Sequence, residues 1–239
     1  MILIANGCSH TAGAELEHPM QSECYENAWP NTLAGLFDFD DVKNFAISGA
    51  SSDRIVRTTI EYFIKESLEP SYNHKKYFVL VNWPGMFRTE IYNKHHGWED
   101  GWQPLVVGND KEYKKDMDIV SYAYYKAWTV FAKPHPQTIN YMHNIMLLQY
   151  FLTAHKIKYL FWSASISCPF KEDYLQHYYK QIYYKRYPFI HDPKHSYFNL
   201  LKSNGFDFGE HSESQHFGQD AQDWFARFLK RYITKHNLL

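Results

Sequence analysis

The chain has 239 residues, enough for one sizeable core or at most two small domains. Hydrophobic residues make up 45% and charged residues 21%, a globular composition that excludes a disordered chain. Lys and Arg total 25 against 26 Asp and Glu, a net charge of −1, so neither a nucleic-acid-binding surface nor a polyacidic tail is indicated.

Residues 1–5 are an apolar run that stops at Asn6-Gly7, which reads as a buried strand ending in a turn. Residues 25–37 carry apolar side chains at helical spacing, with Pro30 in the first turn. A second short strand spans 42–47 and is closed by Ser48-Gly49-Ala50-Ser51-Ser52. Residues 53–66 mix apolar and charged side chains at helical period, and 77–81 form a third strand ending at Asn82-Trp83-Pro84-Gly85. Residues 86–136 give turns at Gly97, Gly101 and Gly108, then a Tyr-rich amphipathic stretch over 118–131 that Pro134 and Pro136 close. A long helix covers 137–155, a fourth strand 158–162, and a final helix 221–235 with Trp224, Phe225, Phe228 and Leu229 on one side. The aromatic and basic stretch 168–200 has no clear period.

Strands alternating with helices predict a parallel sheet with helices on both faces, a three-layer α/β/α sandwich. Ligands of such sheets bind at the carboxyl ends of the strands. The first three strands each end in a small or polar cluster: Asn6 to Ser9, Ser48-Gly49, and Asn82. There is no internal repeat, linker or low-complexity tract, so 1–239 is one domain.

Within Gly7-Cys8-Ser9-His10-Thr11 the serine lies on the functional rim, where it could cap a helix or act as a nucleophile. Near the other end, Glu213-Ser214-Gln215-His216 precedes Phe217-Gly218 and the final helix. A carboxylate three residues before a histidine can turn back to hydrogen-bond the imidazole, fixing its tautomer and stabilising the imidazolium.

In order and placement these blocks resemble the SGNH, or GDSL-like, hydrolase family of esterases and lipases. The resemblance implies a flavodoxin-like SGNH hydrolase fold with insertions at about 91–136 and 164–205. It implies Ser9 as nucleophile, His216 as base and Glu213 as the acid, with an oxyanion hole from the backbone of Ser9 and Gly49 and the side chain of Asn82. Three features depart from the family pattern: Cys8 and Glu213 stand where aspartate is usual, and Asn82 comes about two residues early for the third block.

The reading that follows is a serine esterase or deacylase acting on a small-molecule ester or acylated carbohydrate without a cofactor or metal. Trp83, Arg88 and His10 are its candidate substrate contacts; Arg88 has a competing reading as a structural partner of Glu90. Two rival readings are a non-catalytic SGNH-like binding or accessory protein and an acyltransferase using the same serine. His191-Asp192 and His195 have a metal-like spacing, but Pro193 intervenes. No phosphate-binding glycine motif occurs. Three cysteines without regular spacing, no signal-like start and no bilayer-length apolar run predict a cytoplasmic protein with neither nucleic-acid nor membrane partners. The abundant aromatics suit a large core, and a homo-oligomer is compatible with them.

Overall fold

The computed structural model describes residues 1–18, 23–93, 101–165, 175–182, 186–187, 193–210, 212 and 215–239. Four parallel strands make the central sheet: β1 (Ile2–Gly7), β2 (Asp41–Asn44), β3 (Tyr77–Trp83) and β6 (Lys158–Ser163), in the order β2-β1-β3-β6. All seven residues of β3 are buried, as expected for a central parallel strand covered on both faces.

The strand order fixes where the helices lie. The chain steps from β1 to β2 in one direction, then crosses back past β1 to β3 and on to β6. Right-handed crossovers therefore send the first connecting helix to one face and the later ones to the other. Helix α2 (Trp29–Phe37) pairs with the terminal helix α9 (Gln219–Lys235), while α3 (Ser52–Ser67) pairs with α6 (Pro134–Ala154). This is the flavodoxin-like three-layer arrangement, and its switch point lies between β1 and β3.

Local chemistry explains the boundaries. Ser51 Oγ accepts the Arg54 N–H at 3.2 Å and starts α3. Pro30 and Pro134 occupy first-turn positions, where a missing N–H is harmless. The second strand is shorter than the expected 42–47. Asn44 ends it by donating from Nδ2 to Thr11 O (2.8 Å) and accepting the Ala46 N–H (3.1 Å), which turns the chain away from the ladder. Of the four strand-ending residues on the sheet, only those after β1 and β3 flank the switch point.

The poorly periodic stretch after β3 builds a separate two-stranded antiparallel sheet, β4 (Arg88–Tyr92) and β5 (Trp102–Val106). Two helices follow, α4 (Asp110–Asp116) and α5 (Ile119–Phe131), the latter capped by Asp118. The hairpin is fastened to α3 by Arg57. Its Nε and Nη2 donate to the two carboxylate oxygens of Glu90 at 2.8 and 2.9 Å, and its guanidinium lies over Trp102 at 4.5 Å. Toward the C-terminus stand the short helices α7 (Gln176–Tyr179) and α8 (Tyr197–Ser203).

The sheet edges differ. Edge strand β2 has four residues, with Asp41 and Lys43 paired at 3.2 Å. Beside the other edge, Arg186 Nη1 donates to the carbonyls of Tyr159 (2.8 Å) and Leu238 (3.1 Å).

Candidate active site

The first strand delivers Ser9 to the switch point. Gly7 pairs in the ladder with Asn82, and a Cβ on Gly7 would meet the Asn82 carbonyl at 2.9 Å as well as the Thr11 hydroxyl. Only glycine allows this approach. The chain then enters α1 (Ser9–Ala12), a single turn whose N-cap is Cys8, not Ser9. The Cys8 carbonyl accepts from Thr11 N (2.8 Å) and Ala12 N (3.0 Å). Ser9, buried at 8% exposure, is therefore not spent on capping.

Helix α1 stops at Gly13, whose φ of +74° gives a left-handed C-cap. Glu15 follows in the left-handed region too, at φ +58°, which is strained for a residue with a side chain. The turn brings the Glu15 carboxylate, itself 5% exposed, to the far end of the chain. There Glu15 Oε2 accepts from His216 Nδ1 at 2.8 Å and from Ser212 Oγ at 3.0 Å. Ser212 Oγ in turn accepts the His216 backbone N–H at 2.6 Å. Gly209 N donates to His216 O, and Phe208 and Phe217 form a β-bridge, so the histidine loop is held on both sides.

The carboxylate on Nδ1 is thus Glu15. Glu213, expected in that place, lies outside the described residues, as do His191 and Asp192. Glu15 escapes sequence reading because its partner is 201 positions away. The one available hint was a carboxylate just past the glycine that ends the nucleophile turn.

The contact between the histidine loop and the Ser9 turn that the structure shows is made by His10, the residue after Ser9. The His10 ring meets the His216 ring edge-on at a centroid distance of 4.9 Å and lies 5.2 Å from Tyr197. No hydrogen bond joins His216 to Ser9: the imidazole bonds Glu15 and the backbone N–H bonds Ser212. Burial above all, then the charges of His216 and Arg88, hold the His10 pKa well below the ordinary histidine value, so the ring is neutral at pH 7. Its Nδ1 is buried without a partner.

Of the expected oxyanion donors, Gly49 has φ +77°, a conformation that glycine adopts without strain. Among the described residues neither the Gly49 nor the Ser9 N–H has a backbone acceptor. Asn82 is wholly enclosed, and both atoms of its amide lack a hydrogen-bond partner. An amide buried in that state costs about 1–3 kcal/mol and calls for an explanation.

Trp83 does not line the site. It is fully buried, and its ring meets Tyr141 and Phe161 edge-on at 6.1 and 5.4 Å. Alternation along the strand explains this: residues 82 and 83 point to opposite faces, and the face of 83 is filled by α6 and β6. Arg88 does not pair with Glu90, because that carboxylate is taken by Arg57, with Arg54 Nη1 at 3.9 Å. Arg88 Nη1 instead donates to Ala50 O at 3.4 Å. Among the described residues there is no cluster of three or more metal-ligating side chains, and no helix long and apolar enough to cross a membrane.

Fold and site together define a doubly wound α/β domain with a buried histidine–carboxylate pair and a serine at its switch point. The chain belongs to a family of unknown function, DUF6071, whose model matches residues 14–239. No curated protein matches it in sequence. Among solved structures it is similar to TesA, at 14% identity over 99% of both chains with a TM-score of 0.49. It is also similar to the psychrotrophic esterase EstA from Pseudoalteromonas sp., at 12% identity over 98% of this chain and 97% of that one with a TM-score of 0.45. A third is the acetyl xylan esterase AlAXEase, at 12% identity over 98% and 100% with a TM-score of 0.44.

Proposed function

We propose that this protein is a serine esterase of the SGNH type, with Ser9 as nucleophile, His216 as general base and Glu15 as the acid that orients it. The observation that carries the reading is the buried Glu15–His216 hydrogen bond of 2.8 Å, packed on His10, whose preceding residue Ser9 is left out of helix capping. A carboxylate on Nδ1 leaves Nε2 as the basic nitrogen and stabilises the imidazolium formed when a proton arrives.

In the reaction Ser9 Oγ attacks the ester carbonyl as His216 Nε2 takes its proton. The uncommitted N–H groups of Ser9 and Gly49 hold the developing oxyanion. The Asn82 amide, buried without partners, is the third donor. His216 then protonates the departing alcohol, and a water activated by the same imidazole releases the acyl group from Ser9. The missing Ser9–His216 hydrogen bond fits a site that tightens when substrate arrives.

The test is a fluorophosphonate, which traps a serine activated in this way. Wild-type protein should gain one covalent adduct on the peptide containing Ser9 and hydrolyse short p-nitrophenyl esters. Ser9→Ala should lose both while melting at the same temperature. A lower melting point with unchanged hydrolysis would show that Ser9 is structural. No adduct and no turnover across a broad ester panel would favour the alternative of a non-catalytic binding protein. Faster product formation with an added alcohol would instead mark an acyltransferase.

A further inference from the structure

Three arginines, Arg54 and Arg57 on α3 and Arg88 on β4, lie where the helix meets the hairpin, and they are not equally occupied. Arg57 makes two hydrogen bonds to Glu90 and stacks on Trp102. Arg54, on the same helix, lies against the same carboxylate. Arg88 is left over. It is two residues from Glu90 on β4, on the same face of the strand, yet the carboxylate it could have reached is already taken. Its one hydrogen bond goes to a neutral carbonyl, Ala50 O, at a long 3.4 Å. Among the described residues no carboxylate pairs with this partly buried guanidinium, so its desolvation is offset only by the long bond to Ala50 O.

The hairpin register shows where this charge is presented. Arg88 pairs with Val106 and Glu90 with Pro104, so these side chains share one face. That face lies against Gly49: a Cβ there would touch Pro104 at 3.5 Å and Val106 at 3.7 Å. The guanidinium therefore sits on the side of the hairpin that faces the Gly49-Ala50 turn. Its charge also reaches His10, the residue after Ser9.

We infer that Arg88 selects the substrate: it binds an anionic group, of carboxylate type, carried by the ester a few bonds from the carbonyl that Ser9 attacks. The inference rests on the esterase reading and narrows it from esters in general to anionic esters. Arg suits this role because its planar fork holds a carboxylate with two parallel hydrogen bonds, which lysine cannot reproduce.

Two kinds of measurement test it. In the first, kcat and KM are compared for p-nitrophenyl hemiglutarate and neutral p-nitrophenyl butyrate, with the anion on the acyl side. The same comparison is made for 4-acetoxybenzoate and phenyl acetate, with the anion on the leaving group. Wild type should prefer the anionic ester in at least one pair by about tenfold in kcat/KM, and the preference should shrink as salt is added. In Arg88→Gln the anionic-to-neutral ratio should fall to near one, chiefly through KM, and Arg88→Lys should restore part of it. A role confined to holding the hairpin would lower both esters of a pair alike and would gain nothing from lysine.

The second measurement needs no turnover. Ser9→Ala protein is titrated with monomethyl glutarate and, as neutral control, methyl butyrate, with binding followed by chemical shifts. Salt-sensitive binding of the anion alone, weakened about tenfold by adding Arg88→Gln, supports the inference even if no ester is hydrolysed. In that outcome the esterase reading fails and the anion site stands. Equal binding of both probes, or binding indifferent to Arg88, overturns the anion site even when hydrolysis is robust.

Discussion

Glu15 and His216 stand 201 residues apart in the chain and 2.8 Å apart in the fold. If the proposed esterase reading holds, this pairing makes Glu15 the residue whose loss should hurt turnover most after Ser9 and His216. Glu15→Gln keeps the shape but offers an amide to Nδ1, favouring the wrong tautomer. Its kcat should fall by roughly 10³- to 10⁴-fold with KM little changed. Glu213→Gln should stay within about threefold of wild type. Ester hydrolysis by the two variants decides between them. A large loss from Glu213→Gln with Glu15→Gln active would return the acid role to residue 213.

The sheet was legible in the sequence because its central strands are apolar runs, which burial between two helical layers demands. Leu3 to Ala5 and Phe78 to Val81 show this most directly. The hairpin of β4 and β5 was not legible. Its ten residues, Arg-Thr-Glu-Ile-Tyr and Trp-Gln-Pro-Leu-Val, carry five apolar side chains but no period-two alternation, and the ion pair that fastens it joins Glu90 to a helix residue 33 positions earlier. Of the candidate site, Ser9, Gly49 and His216 were legible as positions, because each follows a recognisable strand end or precedes a helix. Glu15 could not, since neither its left-handed backbone nor its distant partner leaves a periodic trace. Trp83 misled for a related reason: one step along a strand moves a side chain from the rim to the core.

The fastening of the hairpin gives a stability prediction. Glu90 has a side-chain exposure of 5% and faces two arginines. Glu90→Ala leaves those cations without their carboxylate and should destabilise the fold by about 3–5 kcal/mol. Chemical denaturation of the variant, read beside wild type, checks this. A loss below about 1 kcal/mol would mean that the hairpin is held by other contacts.

His10 should make stability depend on pH. Its pKa in the folded protein is lowered, whereas in the unfolded chain it is near the ordinary value of about 6.5. Below that pH the unfolded state binds the proton first, so stability is complete above about pH 6.5 and declines as the pH falls. His10→Phe keeps a ring against Tyr197 and His216 but cannot take up a proton. Urea unfolding at intervals from pH 8 to pH 5 should give a wild-type curve that falls more steeply below pH 6.5 than that of the variant. Parallel curves through this window would show that His10 titrates normally.

The two edges of the sheet bear on how copies of this chain can meet. A parallel sheet with a bare flank invites another chain to add a strand, the usual route to amyloid-like growth. Here β2 offers only four residues, two of them charged, which is too short and too well solvated to template a ribbon. At the other flank the Arg186 guanidinium occupies the Tyr159 carbonyl that an incoming strand would need. Growth by backbone pairing is thus blunted at β2 by brevity and charge and at β6 by a side chain acting as a stopper. Arg186→Ala should accordingly raise the tendency of the protein to form thioflavin-positive aggregates on gentle warming.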